Sequence, residues 1–86
     1  MKLAYSDHFK KRLKKQLNQN PPIRAKIEKQ LLLLQKDIRH PSLKMHKLKG
    51  KRLNQFAIWI EGDIRITLIL VDQTMLLTDI ITHDEY

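Results

Sequence analysis

Three apolar runs in the second half of the chain, Phe56 to Ile60, Ile64 to Val71 and Met75 to Thr82, are separated by only three residues each, Glu61-Gly62-Asp63 and Asp72-Gln73-Thr74. Connections this short join antiparallel neighbours, because a parallel crossover needs a dozen residues or more. The fold must therefore contain an antiparallel meander. Its register follows from keeping the apolar set together, since a one-residue slip turns every side chain to the opposite face. Pairing Ile60 with Ile64 gathers Phe56, Ile58, Ile60, Ile64, Ile66, Leu68 and Leu70, whereas pairing Glu61 with Ile64 would scatter them. At the second turn, pairing Val71 with Met75 sets Asp63 opposite His83 and Arg65 opposite Ile81. Arg65 and His83 then share a face as diagonal neighbours, on the order of 7 Å apart. That second face receives Trp59, Arg65, Thr67, Asp79 and His83, and a polar site is expected there.

The first half reads as helical. Lys2 to Tyr5 alternates and can form a short strand, after which Ser6 is a candidate N-cap with Asp7 in the first turn. Phe9, Leu13 and Leu17 form one apolar stripe, and Lys10, Lys11, Arg12, Lys14 and Lys15 cover the other faces. Asn20-Pro21 reads as N-cap and N1 of a second helix, whose stripe is Ile23, Ile27, Leu31, Leu34 and Ile38. It should run to about Asp37, since His40 before Pro41 favours extended backbone. Leu32 and Leu33 widen the stripe. Lys44 to Gly50 alternates loosely, and Gly50 to Asn54 reads as a basic loop. The expected fold is α+β, with two N-terminal helices packed on one face of a mostly antiparallel four-stranded sheet, as one domain over residues 1–86.

Charge divides the chain in the same place. Residues 1–55 hold 16 basic and three acidic side chains, net +13, and residues 56–86 hold one basic and six acidic, net −5. A basic surface on an ordinary β core suits a polyanion, most commonly nucleic acid. With no cysteine there is neither a disulfide framework nor a thiolate zinc site. The longest unbroken apolar run is the five residues Phe56 to Ile60, far short of a membrane span, so a soluble cytoplasmic domain with no membrane partner is expected.

The familiar catalytic motifs are absent from this sequence. Gly50 and Gly62 are its only glycines, which excludes a Gly-rich phosphate loop, and His8, His40, His46 and His83 show no metal-ligand spacing, so neither metal nor cofactor is expected. Histidines and an arginine beside a basic surface can nonetheless perform one metal-free reaction on RNA. The 2′-OH attacks its own phosphodiester, and the protein orients it, moves protons and stabilises charge on phosphorus. Arg65, set within an apolar strand, is the sharpest single signal, because a buried guanidinium needs a partner. An ion pair to Asp63 or Asp79 is its structural alternative.

The pattern of His46-Lys47-Leu48-Lys49-Gly50, an aromatic strand, Asp63-Ile64-Arg65-Ile66, and a final strand closing on Thr82-His83-Asp84-Glu85-Tyr86 resembles the RelE/ParE superfamily of toxin-antitoxin toxins. It is most similar to the RelE-like, YafQ-like branch, and Phe9-Lys10-Lys11 and His40-Pro41-Ser42-Leu43 extend the resemblance over essentially the whole chain. The resemblance implies a microbial RNase fold and cleavage of mRNA in the ribosomal A site, leaving a 2′,3′-cyclic phosphate and a 5′-hydroxyl. It implies proton transfer by His46 and His83, charge stabilisation by Arg65, and stacking or proton relay by Tyr86, with Asp63 as the aspartate of the strand hairpin. Lys10, Lys11, Lys14, Lys47, Lys49, Lys51 and Arg52 would hold phosphates of mRNA or ribosomal RNA. The partners implied are the ribosome with its mRNA and a cognate antitoxin protein in a hetero-oligomeric complex, Leu32 and Leu33 being candidate antitoxin contacts. Two other activities remain open: ParE-like inhibition of DNA gyrase, which needs no catalytic histidine, and non-catalytic binding of nucleic acid.

Overall fold

Ser6 fixes the start of the helical layer. Its backbone is extended (φ −69°, ψ 158°) and its Oγ accepts from Phe9 N at 3.0 Å, which supplies one of the amides that a helix start leaves unpaired. The computed structural model describes residues 2–48 and 55–82, in the order β1 (Lys2–Tyr5), α1 (Asp7–Gln19), α2 (Ile23–Lys36), a 3₁₀ turn (Pro41–Leu43), β2 (His46–Lys47), β3 (Phe56–Glu61), β4 (Ile64–Val71) and β5 (Thr74–Ile81). The second helix begins two residues later than Asn20-Pro21 suggests. Asn20 and Pro21 instead accept from Ile23 N and Arg24 N through their carbonyls, and Pro22 occupies the cap with no side-chain bond. Its end agrees with expectation, with Asp37 at the C-cap and His40 extended before Pro41.

The sheet corrects the expected strand count. It has five strands in the order β1-β5-β4-β3-β2, and it is mixed, because β1 runs parallel to β5 while the other pairs are antiparallel. The fifth strand is His46–Lys47, a two-residue segment paired with Phe56 and Ala57. So short a run carries almost no alternation to recognise. The helices lie over one face, α1 against β5 and α2 against β3. Between them and the sheet lies one apolar cluster built from Phe9, Ile23, Ile27, Leu34, Leu43 and the inward residues of β3, β4 and β5. Leu33 packs at its margin, whereas Leu32 is 53% exposed.

Both turns are tighter than three residues, and each is reconciled with the core by a bulge. At the first, Glu61 pairs with Ile64 across Gly62-Asp63, yet from Trp59 inward the partners are those that gather the apolar set: Trp59 with Arg65, Ile58 with Ile66, Phe56 with Leu68. The shift falls between Trp59 and Glu61, and Gly62 takes the left-handed backbone the tight turn requires (φ +54°). At the second turn Val71 pairs with Thr74 rather than Met75, with Asp72 at φ +55°. An irregularity between Thr67 and Leu68, opposite the extra residue Thr78, then restores the expected pairing of Arg65 with Ile81. Thr78 is fastened at that point, since its Oγ1 lies 2.7 Å from Thr67 Oγ1 and donates to Gln55 Oε1.

Candidate functional site

Strand alternation places the site. Phe56, Ile58, Ile66 and Leu68 face the helices, so their neighbours Ala57, Trp59, Arg65 and Thr67 face away. His46 pairs with Ala57 and therefore joins that second face. From sheet spacings, His46 and Arg65 are two strands across and one pleat along from one another, roughly 12 Å between Cα atoms.

Arg65 has neither of the acidic partners considered for it. Its Nη1 donates to the carbonyls of Gly62 (3.0 Å) and Ile64 (3.2 Å), and no carboxylate pairs with it among the described residues. Asp79 is committed elsewhere. Its Oδ1 accepts from Arg12 Nε at 3.1 Å and its Oδ2 lies 3.2 Å from His8 Nε2, so the carboxylate clamps α1 to β5 instead of joining the polar face. Arg12 Nη2 adds a 2.8 Å bond to Ile80 O. Asp63 is exposed in the first turn. The half-buried Arg65 guanidinium is thus held by one nitrogen, leaving Nε and Nη2 without a hydrogen bond among the described residues.

Trp59, directly opposite Arg65, shares its anchor. The indole Nε1 donates to Gly62 O at 2.8 Å, so one turn carbonyl receives both side chains. The Lys44 ammonium lies 4.5 Å from the Trp59 ring centroid, over its face. Lys44 itself has left-handed backbone (φ 47°, ψ 41°), a conformation that costs any residue with a Cβ, and it closes the 3₁₀ turn after Leu43. Gln30 braces the same corner from α2. It is 3% exposed, and its Nε2 donates to Ser42 O (3.0 Å) and Trp59 O (2.7 Å).

His46 is exposed on β2, with Nδ1 3.2 Å from Lys44 O. Beside it a groove of about 420 Å³ follows the outer edge of β2, bounded by the connection after α2. Ile38, Met45 and Phe56 contribute apolar surface to it, and Arg39 and Lys47 contribute charge. Lys10, Lys11 and Lys14 are not part of this neighbourhood, because α1 sits on the other face of the sheet beside β5. Lys10 and Lys14 instead flank a smaller groove over Leu13 and Leu17. His83, Tyr86, Lys49, Lys51 and Arg52 lie outside the described residues. The sequence reading missed Lys44 and Gln30. Gln30 did leave a signal, as the one polar residue on the stripe between Ile27 and Leu34; a left-handed lysine leaves none.

No protein-family model matches the sequence, and no curated protein matches it. Solved structures do match, and together they define the class of this domain: it has the RelE-like toxin fold, two helices on a mixed five-stranded sheet. A histidine-to-glutamine variant of YafQ from E. coli aligns with a TM-score of 0.81 at 19% identity over 96% of this chain and 93% of that one. A copper-bound leucine-to-serine variant of a toxin from Helicobacter pylori aligns at 0.79 and 24% identity, over 99% and 97% of the two chains. The YoeB/ParE toxin from Agrobacterium tumefaciens aligns at 0.78 and 14% identity, over 96% and 99%.

Proposed function

We propose that this protein is the toxin of a type II toxin-antitoxin pair, a metal-independent endoribonuclease that cleaves mRNA on the ribosome and so stops translation in the bacterial cytoplasm. The observation that carries this reading is Arg65: a half-buried guanidinium on the face of the sheet away from the helices, anchored through one nitrogen, paired with no described carboxylate, on the same face as His46. A structural arginine would have taken Asp79, which α1 holds instead. The fold supports the toxin role, being shared with YafQ, which is seen in complex with DinJ as a toxin-antitoxin complex. A cognate antitoxin for this chain follows by the same likeness.

In the proposed reaction a histidine, His46 or His83, takes the proton from the ribose 2′-OH as its oxygen attacks phosphorus. The bond to the 5′-oxygen breaks, and the other histidine protonates that leaving oxygen, giving a 2′,3′-cyclic phosphate and a 5′-hydroxyl. Nε and Nη2 of Arg65 form a planar fork suited to two non-bridging oxygens while negative charge accumulates on them. Tyr86 stacks on a base or relays a proton, Asp63 sits in the turn that anchors Arg65, and Lys47, Lys49, Lys51 and Arg52 hold phosphates. DNA lacks the attacking hydroxyl and is spared.

Induction in bacteria, followed by short pulses of labelled methionine and labelled thymidine, tests the reading. Methionine incorporation should fall first, and a His83→Ala version that still folds should be harmless. Thymidine falling first, or a toxic His83→Ala version, would transfer the protein to gyrase inhibition and remove the catalytic assignments.

A further inference from the structure

The groove along β2 lies beside the proposed reaction site and shares His46 and Lys47 with it, while Arg39, Ile38, Met45 and Phe56 have no part in the reaction as proposed. Of its three exposed cations, Lys44 sits over the Trp59 ring, and Arg39 and Lys47 are uncommitted. The Arg39 backbone is tied down, its N donating to Asp37 Oδ1 at 3.1 Å, while no ion pair or hydrogen bond engages its guanidinium or the Lys47 ammonium among the described residues. Among the described residues no acidic side chain lines the groove. The partly buried side chains of Ile38, Met45 and Phe56 give the groove an apolar floor of the kind a flat base covers. Its volume of about 420 Å³ is within the range of small-ligand sites, and His46 lines both the groove and the sheet face.

We infer that this groove is a nucleotide subsite, in which Arg39 and Lys47 hold a phosphate of single-stranded RNA and the Ile38, Met45 and Phe56 floor receives the base next to the scissile one. The inference rests on the ribonuclease reading for the word "scissile" and on the groove alone for binding. Lys44 is the hinge between the two regions. It lines the groove while its ammonium sits over Trp59, so a strand leaving the subsite passes a cation and an indole before it reaches Arg65.

Binding is tested without catalysis. Full-length protein labelled at the methionine methyls is titrated with a trinucleotide, UpUpU carrying 2′-O-methyl groups so that it cannot be cleaved. Met75, fully buried in the core, serves as the reference. The Met45 methyl should shift saturably while Met75 does not, and Arg39→Gln should weaken binding at least fivefold. Lys26→Gln, an equal charge loss on the exposed side of α2, should weaken it less than twofold. An unmoved Met45, or equal weakening by both substitutions, overturns the subsite. So does a hexaglutamate peptide that moves Met45 as strongly, which would give the groove to a protein segment. Ribosomal cleavage assayed on the same preparations separates the two ideas: cleavage with Met45 unmoved removes only the subsite, and saturable binding without cleavage removes only the nuclease.

Discussion

Replacing Gln30 with methionine keeps the length and volume of the side chain and removes both of its donors. Gln30 Nε2 bonds Ser42 O and Trp59 O from a position only 3% exposed, so the variant loses two hydrogen bonds where water has little access to replace them. Each such bond contributes about 1 kcal/mol net, and an acceptor left dry costs a further 1 kcal/mol or more. The greater apolarity of methionine returns part of this. A loss of about 2 kcal/mol is expected, a large share of the roughly 5–10 kcal/mol available to a domain of this size. At about 4–8 °C per kcal/mol the midpoint of thermal unfolding should fall by roughly 8–16 °C. Urea titration and thermal melting, each followed by Trp59 fluorescence, read the two consequences, and the carbonyl released belongs to the fluorophore's own residue. A Gln30→Met protein within about 0.5 kcal/mol of the parent would refute the reasoning and make the amide a spectator.

Ser6→Ala removes the α1 cap and a 3.3 Å bond from Ser6 Oγ to Thr78 O, and should cost about 1 kcal/mol in urea unfolding. Asp79→Ala and Arg12→Ala should each destabilise by about 1 kcal/mol, discounted for partial exposure, and the double variant by clearly less than their sum, as a double-mutant cycle would show. Deleting Thr78 removes the extra residue of the bulge and makes Asp79 follow Leu77, so the pairs Thr67 with Asp79, Ile66 with Ile80 and Arg65 with Ile81 continue without a shift; circular dichroism should find a folded chain, and an unfolded one would refute the role given to the bulge. Arg65→Lys keeps the charge and loses the fork, so ribosomal cleavage should fall about 100-fold while unfolding free energy changes by less than about 1 kcal/mol.

The meander was legible because seven apolar residues had a single mutual register, and the structure keeps that register through the body of β3 and β4. What the pattern could not show is how the turns agree with it. A two-residue turn at Gly62-Asp63 and another at Asp72-Gln73 each leave one strand a residue out of step, and a bulge absorbs the difference. Alternation is blind to such a compensation, because the turn and the bulge cancel over the stretch that packs. The same blindness explains the missing strand. His46–Lys47 lies in a stretch that alternates only loosely, and it is a strand because β3 offers it hydrogen bonds, a tertiary cause.

The candidate site divides along a similar line. Arg65 was visible as a guanidinium out of place in an apolar strand, and its pairing with Ile81 was read from a Val71–Met75 pairing that the structure replaces with Val71–Thr74, the bulge restoring the result. The devices that hold it were not visible, since they depend on one carbonyl. Gly62 O faces Arg65 and Trp59 together only because the turn is two residues long and takes a positive φ at Gly62, so the bulge that serves the core also aims the site. Removing the bulge or substituting a β-branched residue for Gly62 would act on both at once. Removing the Trp59 indole would act on one, leaving the turn intact and Arg65 without its companion on the shared carbonyl. Trp59 is therefore the position at which stability and the placement of Arg65 can be separated by a single substitution.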